Sequence, residues 1–153
     1  MADIRIKVAK DKAKLVKALR SGEGSAGLFQ TYVDVMVFAA TLGAKRGKYI
    51  PVSDTSKKDP DPIPLEHFIS KGHDQTINLL AVTHIRDPKI LGNNEDMERK
   101  RVEIFESYAN GGFEIIQNLL QGTNDNLKQV LLFLRNEKNE NDSNNDFLDL
   151  DFI

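Results

Sequence analysis

Three histidines, His67, His73 and His84, fall within one short stretch of the chain together with Glu66 and Asp74. Neutral imidazoles and carboxylates are ligands that zinc and iron accept, so a metal centre is the first chemistry to weigh. Their spacing makes neither an HxxxH pair nor a cluster on one helical face. His84 also falls on the same stripe as Ile77 and Leu80, where a hydrogen-bonded core histidine is expected. No metal is assigned. Nucleophilic catalysis fares no better. Cysteine is absent, and no serine stands in the strand–turn–helix context of a nucleophile elbow. The run Gly22 to Gly27 (GEGSAG) lacks the Gly-Lys-Ser/Thr ending of a phosphate-binding loop and does not follow a strand. Glu95, Asp96, Glu98, Glu103 and Glu106 spread over the outer face of a helix, among Arg99, Lys100 and Arg101. With no acid, base and oxyanion donor converging, the protein is expected not to be an enzyme and to need no cofactor.

The cations are more informative. In "TLGAKRGKYIPV", Thr41 to Val52, an apolar helix runs up to Gly43, and then Lys45, Arg46 and Lys48 follow within four residues. Cations there are favoured by the negative end of the helix dipole, worth about 0.3–1 kcal/mol each. They would equally suit an anion, and Gly47 between them would let backbone amides face it. Arg5, Lys7 and Lys10, with Lys12, Lys14 and Lys17 behind them, line the N-terminal strand and first helix. If these meet the turn in space they form a stripe for phosphates, with affinity that falls steeply with salt. Lys45, Arg46, Lys48, Arg5, Lys7 and Lys10 are therefore the candidate DNA-binding residues. The formal net charge of −2 hides the asymmetry behind this reading. Residues 1–58 hold 12 lysines and arginines against 5 carboxylates, whereas residues 59–153 hold 9 against 18. A basic face for nucleic acid and an acidic face for protein partners is one outcome of such segregation; mutual neutralisation within one globule is the other.

The C-terminus suggests a different class of function. "NEKNENDSNND", after Arg135, has no apolar residue and cannot bury a core, yet the chain ends in "FLDLDFI". Phe147, Leu148, Leu150 and Phe152 behind an acidic spacer read as a linear docking peptide for a partner groove or a sheet edge. Such a tail could also cover the basic stripe of its own chain.

The elements that must position these groups are mostly helices. Ile4, Ile6 and Val8 alternate with Arg5 and Lys7, the period of a half-exposed strand. One short strand needs a partner, and the candidates are Lys48 to Val52 or the same strand of a second copy, as in ribbon-helix-helix homodimers. Asp11 to Arg20 predicts a helix with its lysines outward. Leu28 to Leu42 is apolar all round, the mark of a central buried helix, with Gly43 as its C-cap. "SDTSKKDPDPIP", Ser53 to Pro64, reads as a loop because three prolines within five positions block helix and sheet pairing. Leu65 to Ser70 and Asp74 to Ile85 follow as helices. Asn93 or Asn94 caps a long amphipathic helix through Phe105, Phe113 and Ile116. Gly111-Gly112 within it costs about 1 kcal/mol per residue, so the helix kinks there or another backbone packs close. Thr123 or Asn124 opens a last helix to Leu134.

At 153 residues, one domain over residues 1–135 is expected, mainly α, with five or six helices around the buried central one. One short N-terminal strand and a disordered acidic tail, 136–153, complete it. No window nears the roughly 18 apolar residues of a membrane span. Met1 to Arg5 has no apolar leader run, so a cytoplasmic protein is expected.

Three segments carry a family resemblance: "DVMVFAATLGAKRGKYIPV" (Asp34 to Val52), "INLLAV" (Ile77 to Val82) and "FESYANGGFEII" (Phe105 to Ile116). Together, over residues 25–120, they resemble small bacterial proteins associated with the Dnd system, which replaces a non-bridging phosphate oxygen of DNA with sulfur and works with a restriction module against phage and other foreign DNA. The N-terminal strand and the tail lie outside the resemblance. It implies an accessory component beside DNA-modifying machinery, with DNA or other proteins of that system as partners, and it implies no chemistry. The expected function is a non-enzymatic accessory that contacts DNA through the basic turn; the alternative is a protein–protein adaptor using the acidic face and tail.

Overall fold

The computed structural model describes residues 3–20 and 29–121. They are mostly helical, as the sequence predicts: β1 (Arg5–Ile6), a 3-10 turn (Lys10–Lys12), α1 (Ala13–Leu19), α2 (Tyr32–Lys45), β2 (Ile63–Pro64), α3 (Leu65–Ser70), α4 (Asp74–Ile85), a second 3-10 turn (Pro88–Leu91) and α5 (Glu95–Gln121). The expected helix from Thr123 or Asn124, the boundary at 135 and the tail lie outside the described residues. The chain divides into two compact units, Met1–Ile115 and Ile116–Ile153; in the second, the described residues continue α5.

Helix α2 is the centre of the first unit, with Val33, Val35, Met36, Phe38, Ala39, Ala40, Leu42 and Gly43 buried. Its limits differ from the apolar run at both ends, because hydrogen bonds rather than hydropathy set them. Thr31 Oγ1 accepts from the Asp34 amide at 3.2 Å, so the helix begins after Thr31 rather than at Leu28. It ends three residues later than Gly43 suggested, at Lys45 rather than Leu42. Gly47 takes φ +67°, its amide donates to the Ala44 carbonyl at 3.2 Å, and the Lys48 amide donates to the Gly43 carbonyl at 2.8 Å. These two bonds are a Schellman motif with Gly47 as the left-handed residue.

Gly43 has another purpose. A Cβ there would overlap the Tyr108 carbonyl oxygen, and a Cβ at Gly112 would overlap that of Ala39. Helices α2 and α5 therefore cross backbone to backbone, at Ala39 and Gly43 on one and Tyr108 and Gly112 on the other, four apart on each. Gly111 is equally tight against the Lys48 carbonyl. Close packing, not a kink, accounts for the glycine pair, and α5 runs through it unbroken.

The strand's partner is neither candidate from sequence. Arg5 pairs with Pro64 and Ile6 with Ile63, antiparallel, within the chain. The Leu65 amide donates to the Ile4 carbonyl at 3.0 Å, Ser56 N to Val8 O at 2.7 Å, and Lys10 N to Asp54 O at 2.9 Å. The proline-rich segment serves as a strand because Pro64 still offers a carbonyl and stands at the end of a two-residue pairing, where its missing N–H costs little. Ile6, Val8, Val16, Phe68 and Phe105 are fully buried, and the Phe68 and Phe105 rings meet edge to face at 5.5 Å. Asn94 is the cap of α5, its Oδ1 accepting from the Met97 amide at 2.9 Å.

Candidate nucleic-acid interface

One face of α5 anchors the segments that bear the cations. The Ile50 amide donates to the Ser107 carbonyl at 3.1 Å, and Asn110 Nδ2 donates to the Ile50 carbonyl at 3.2 Å. Asn110 Oδ1 accepts from Lys12 Nζ at 3.0 Å. Lys12 is thus not an outward lysine: it is 4% exposed, held between Asn110 and Asp11 Oδ2 at 3.0 Å. Glu106 is not outward either. Its Oε2 accepts the Lys7 amide at 2.6 Å, and burial pushes its carboxyl up to about 7, against the lowering effect of that hydrogen bond. Arg101, grouped from sequence with the carboxylates of the outer face, donates to the Ile90 and Gly92 carbonyls at 2.7 and 2.8 Å.

Of the six candidate DNA-binding residues, the fold gathers some and separates others. Lys45 and Arg46 are exposed at the end of α2. Lys48, one residue beyond the turn, is half-buried and pairs with Glu114 at 3.3 Å. Glu114 in turn lines a cleft of about 530 Å³ with Lys10, Lys12, Asp11, Asp54 and Asn110, so Lys10 stands on the same side as Lys48. Arg5 does not. It pairs with Asp3 at 2.9 Å and lines a separate cleft with Tyr32, Asp59, Asp61 and His67. Tyr32 begins α2 and Lys45 ends it, and a 14-residue helix is about 20 Å long. Lys7 keeps an exposed side chain while its amide is held by Glu106. The backbone of the turn differs from expectation too: the Gly47 and Lys48 amides are turned back into the Schellman bonds, so they do not face an anion. Phe147, Leu148, Leu150 and Phe152 lie outside the described residues.

The residues that sequence reasoning missed are aromatic. Tyr49 follows the basic turn directly, and its ring is stacked on His84 at 4.3 Å with 10° between planes. Tyr108 meets Tyr49 edge-on at 5.0 Å, and its hydroxyl is 2.9 Å from His84 Nδ1. His84 is hydrogen-bonded, as the sequence suggests, but it is exposed rather than part of the core. Tyr49 and Tyr108 pack inward against Ala81, Ile90 and Ile104. That contact packs α4 and the following 3-10 turn against Tyr49, the residue after the basic turn; exposed Arg86 and Lys89 belong to the end of α4 and to that 3-10 turn. Arg86 terminates α4 in the left-handed conformation, φ 60°, its amide donating to Val82 O at 2.7 Å. Only the Lys-Arg-Gly-Lys-Tyr sequence, basic residues running into an aromatic one, signals this cluster in the chain itself. The other histidines are elsewhere: His67 in the Arg5 cleft and His73 3.7 Å from Asp34.

The chain matches, over residues 5–152, the family model described as DNA sulphur modification system-associated protein 4. The chain belongs to that family. The match takes in the N-terminal strand and most of the acidic tail, both of which lay outside the resemblance read from sequence. No curated protein and no solved structure matches the chain. Members of the DNA sulphur modification system-associated protein 4 family are accessories of such a system, and this chain is one. Among the described residues, no helix is long and apolar enough to cross a membrane.

Proposed function

We propose that this chain is a non-catalytic, cytoplasmic accessory that contacts DNA phosphates through Lys45, Arg46 and Lys48, reinforced by Arg86 and Lys89. The carrying observation is that Lys45 and Arg46 project, exposed, from a helix end whose backbone is fixed by the Schellman bonds and the glycine crossing behind it. Cations on a rigid mount lose little entropy when they meet a phosphate, and neutralising phosphates releases condensed counterions. Fluorescence anisotropy of the purified protein with labelled DNA across a salt series tests the reading. Log affinity is expected to fall linearly with log salt, and Lys45→Glu with Arg46→Glu to weaken binding about tenfold or more and to flatten the slope by about 2. A folded protein that binds no DNA at low salt would sink it. A second reading, an adaptor for other proteins of the system, is favoured by exposed apolar side chains on α4 and the 3-10 turn: Leu79 at 65%, Ile85 at 44% and Leu91 at 43%.

A further inference from the structure

We infer that His84 is a stacking platform for a nucleobase, so that the preferred ligand of the basic face is single-stranded or unpaired DNA rather than intact duplex. The inference rests on the DNA-binding reading and goes beyond it, because phosphate contacts alone do not distinguish the two forms.

The geometry carries it in three steps. First, the imidazole is held in place: one face lies parallel on Tyr49 at 4.3 Å, and Nδ1 is fixed by the Tyr108 hydroxyl at 2.9 Å. A ring immobilised before the ligand arrives loses little further freedom on binding. Second, His84 stays exposed while the two tyrosines beneath it are half-buried. The face of the imidazole opposite Tyr49 is where a second flat ring would continue the stack. Third, cations flank the platform on both sides in the chain: Lys45, Arg46 and Lys48 run into Tyr49, and Arg86 and Lys89 follow His84. A positively charged track beside an aromatic surface is the arrangement by which proteins hold single strands, with bases stacked and the backbone neutralised. In a duplex the base faces are occupied by their neighbours, so the platform has nothing to stack on unless a base leaves the helix.

The test compares four labelled probes at one salt concentration, each about 16 nucleotides long, enough for one site. They are a single strand, the same sequence as a duplex, the same strand with abasic positions, and the duplex with a short unpaired gap. Single-stranded and gapped DNA are expected to bind about tenfold more tightly than duplex, with the abasic strand falling to the duplex level. His84→Ala should abolish that preference and leave duplex affinity unchanged. His84→Phe, which keeps a flat ring, should retain it. Because His84 is exposed, both variants are expected to fold, and circular dichroism checks this.

Equal affinity for strand and duplex, or a His84→Ala variant that keeps the preference, overturns the platform while leaving the phosphate-contacting reading standing. Loss of duplex and single-strand binding in equal measure in His84→Ala also overturns it, since a stacking role cannot lower both alike. No binding to any probe overturns the platform and the DNA reading together.

Discussion

Helix α2 meets the rest of the molecule in two contrasting ways within about two turns. At Ala39 and Gly43 it offers only a methyl and a hydrogen, and its backbone lies directly against Tyr108 and Gly112 of α5. At Lys45 and Arg46 it offers long charged side chains on the surface. At Gly43 the first region tolerates nothing larger than hydrogen, whereas the second lies at the surface, where side-chain size is not restricted. Rigidity in one lets the other be both exposed and fixed in direction, which is what recognition of a patterned polyanion needs.

The contrast is open to attack by substitution, starting where the effect should be greatest. Gly112→Ala, or Gly43→Ala, forces the two helices apart or bends one of them. Despite alanine's better helix propensity, a loss of about 3 kcal/mol is expected in urea denaturation. A loss below 1 kcal/mol would show that the crossing is pliable and that the turn is not rigidly mounted. Glu106 comes next. Its carboxyl is raised from an ordinary 4.5 to about 7 in the folded chain, so the folded state holds the proton more tightly than the unfolded one. The associated stability is complete below about pH 4.5 and is lost as pH rises through about 7. Glu106→Gln should remove this slope, making the variant more stable than the parent at pH 8 by on the order of 2 kcal/mol, read from melts at pH 5 and pH 8. A parent whose stability is flat from pH 5 to 8 would show that the Lys7 amide compensates the burial. Smallest of all, Lys45→Glu with Arg46→Glu should lower stability by about 1 kcal/mol, the helix-dipole contribution of two cations at a helix end, although it is the pair expected to weaken DNA contact about tenfold or more. A large loss there would mean that the two cations serve the fold, and the contrast would fail from the other side.

What could be read from the chain follows the same division. The central burial of α2, the cap at Asn94 and the length of α5 are written in local pattern, because apolar periodicity and capping chemistry are properties of neighbouring residues. The partner of β1 was not, since three prolines argue against a strand by local rules and only the tertiary fold rescues Pro64 at a strand end. Lys12 and Glu106 were misassigned outward because charge predicts solvent until a particular partner, Asn110 or the Lys7 amide, is brought to it from about 100 positions away. The basic turn was visible as composition. Its aromatic companions were not, as Tyr49, His84 and Tyr108 come from three separate parts of the chain and nothing local joins them. For the same reason Arg5 was grouped with Lys45, when the length of α2 stands between their surroundings.

The hydrogen bond from the Lys7 amide to Glu106 spans 99 positions of sequence, and this sets a timetable for the chain as it is made. At about 5–20 residues per second, the N-terminal segment leaves the ribosome roughly 5–20 seconds before α5 exists to receive it. Until Asp54 to Leu65 has also been made, Ile4, Ile6 and Val8 have no partner segment, and an apolar edge of this kind recruits other nascent chains. The charges of Arg5 and Lys7, set between them, act as gatekeepers against such pairing.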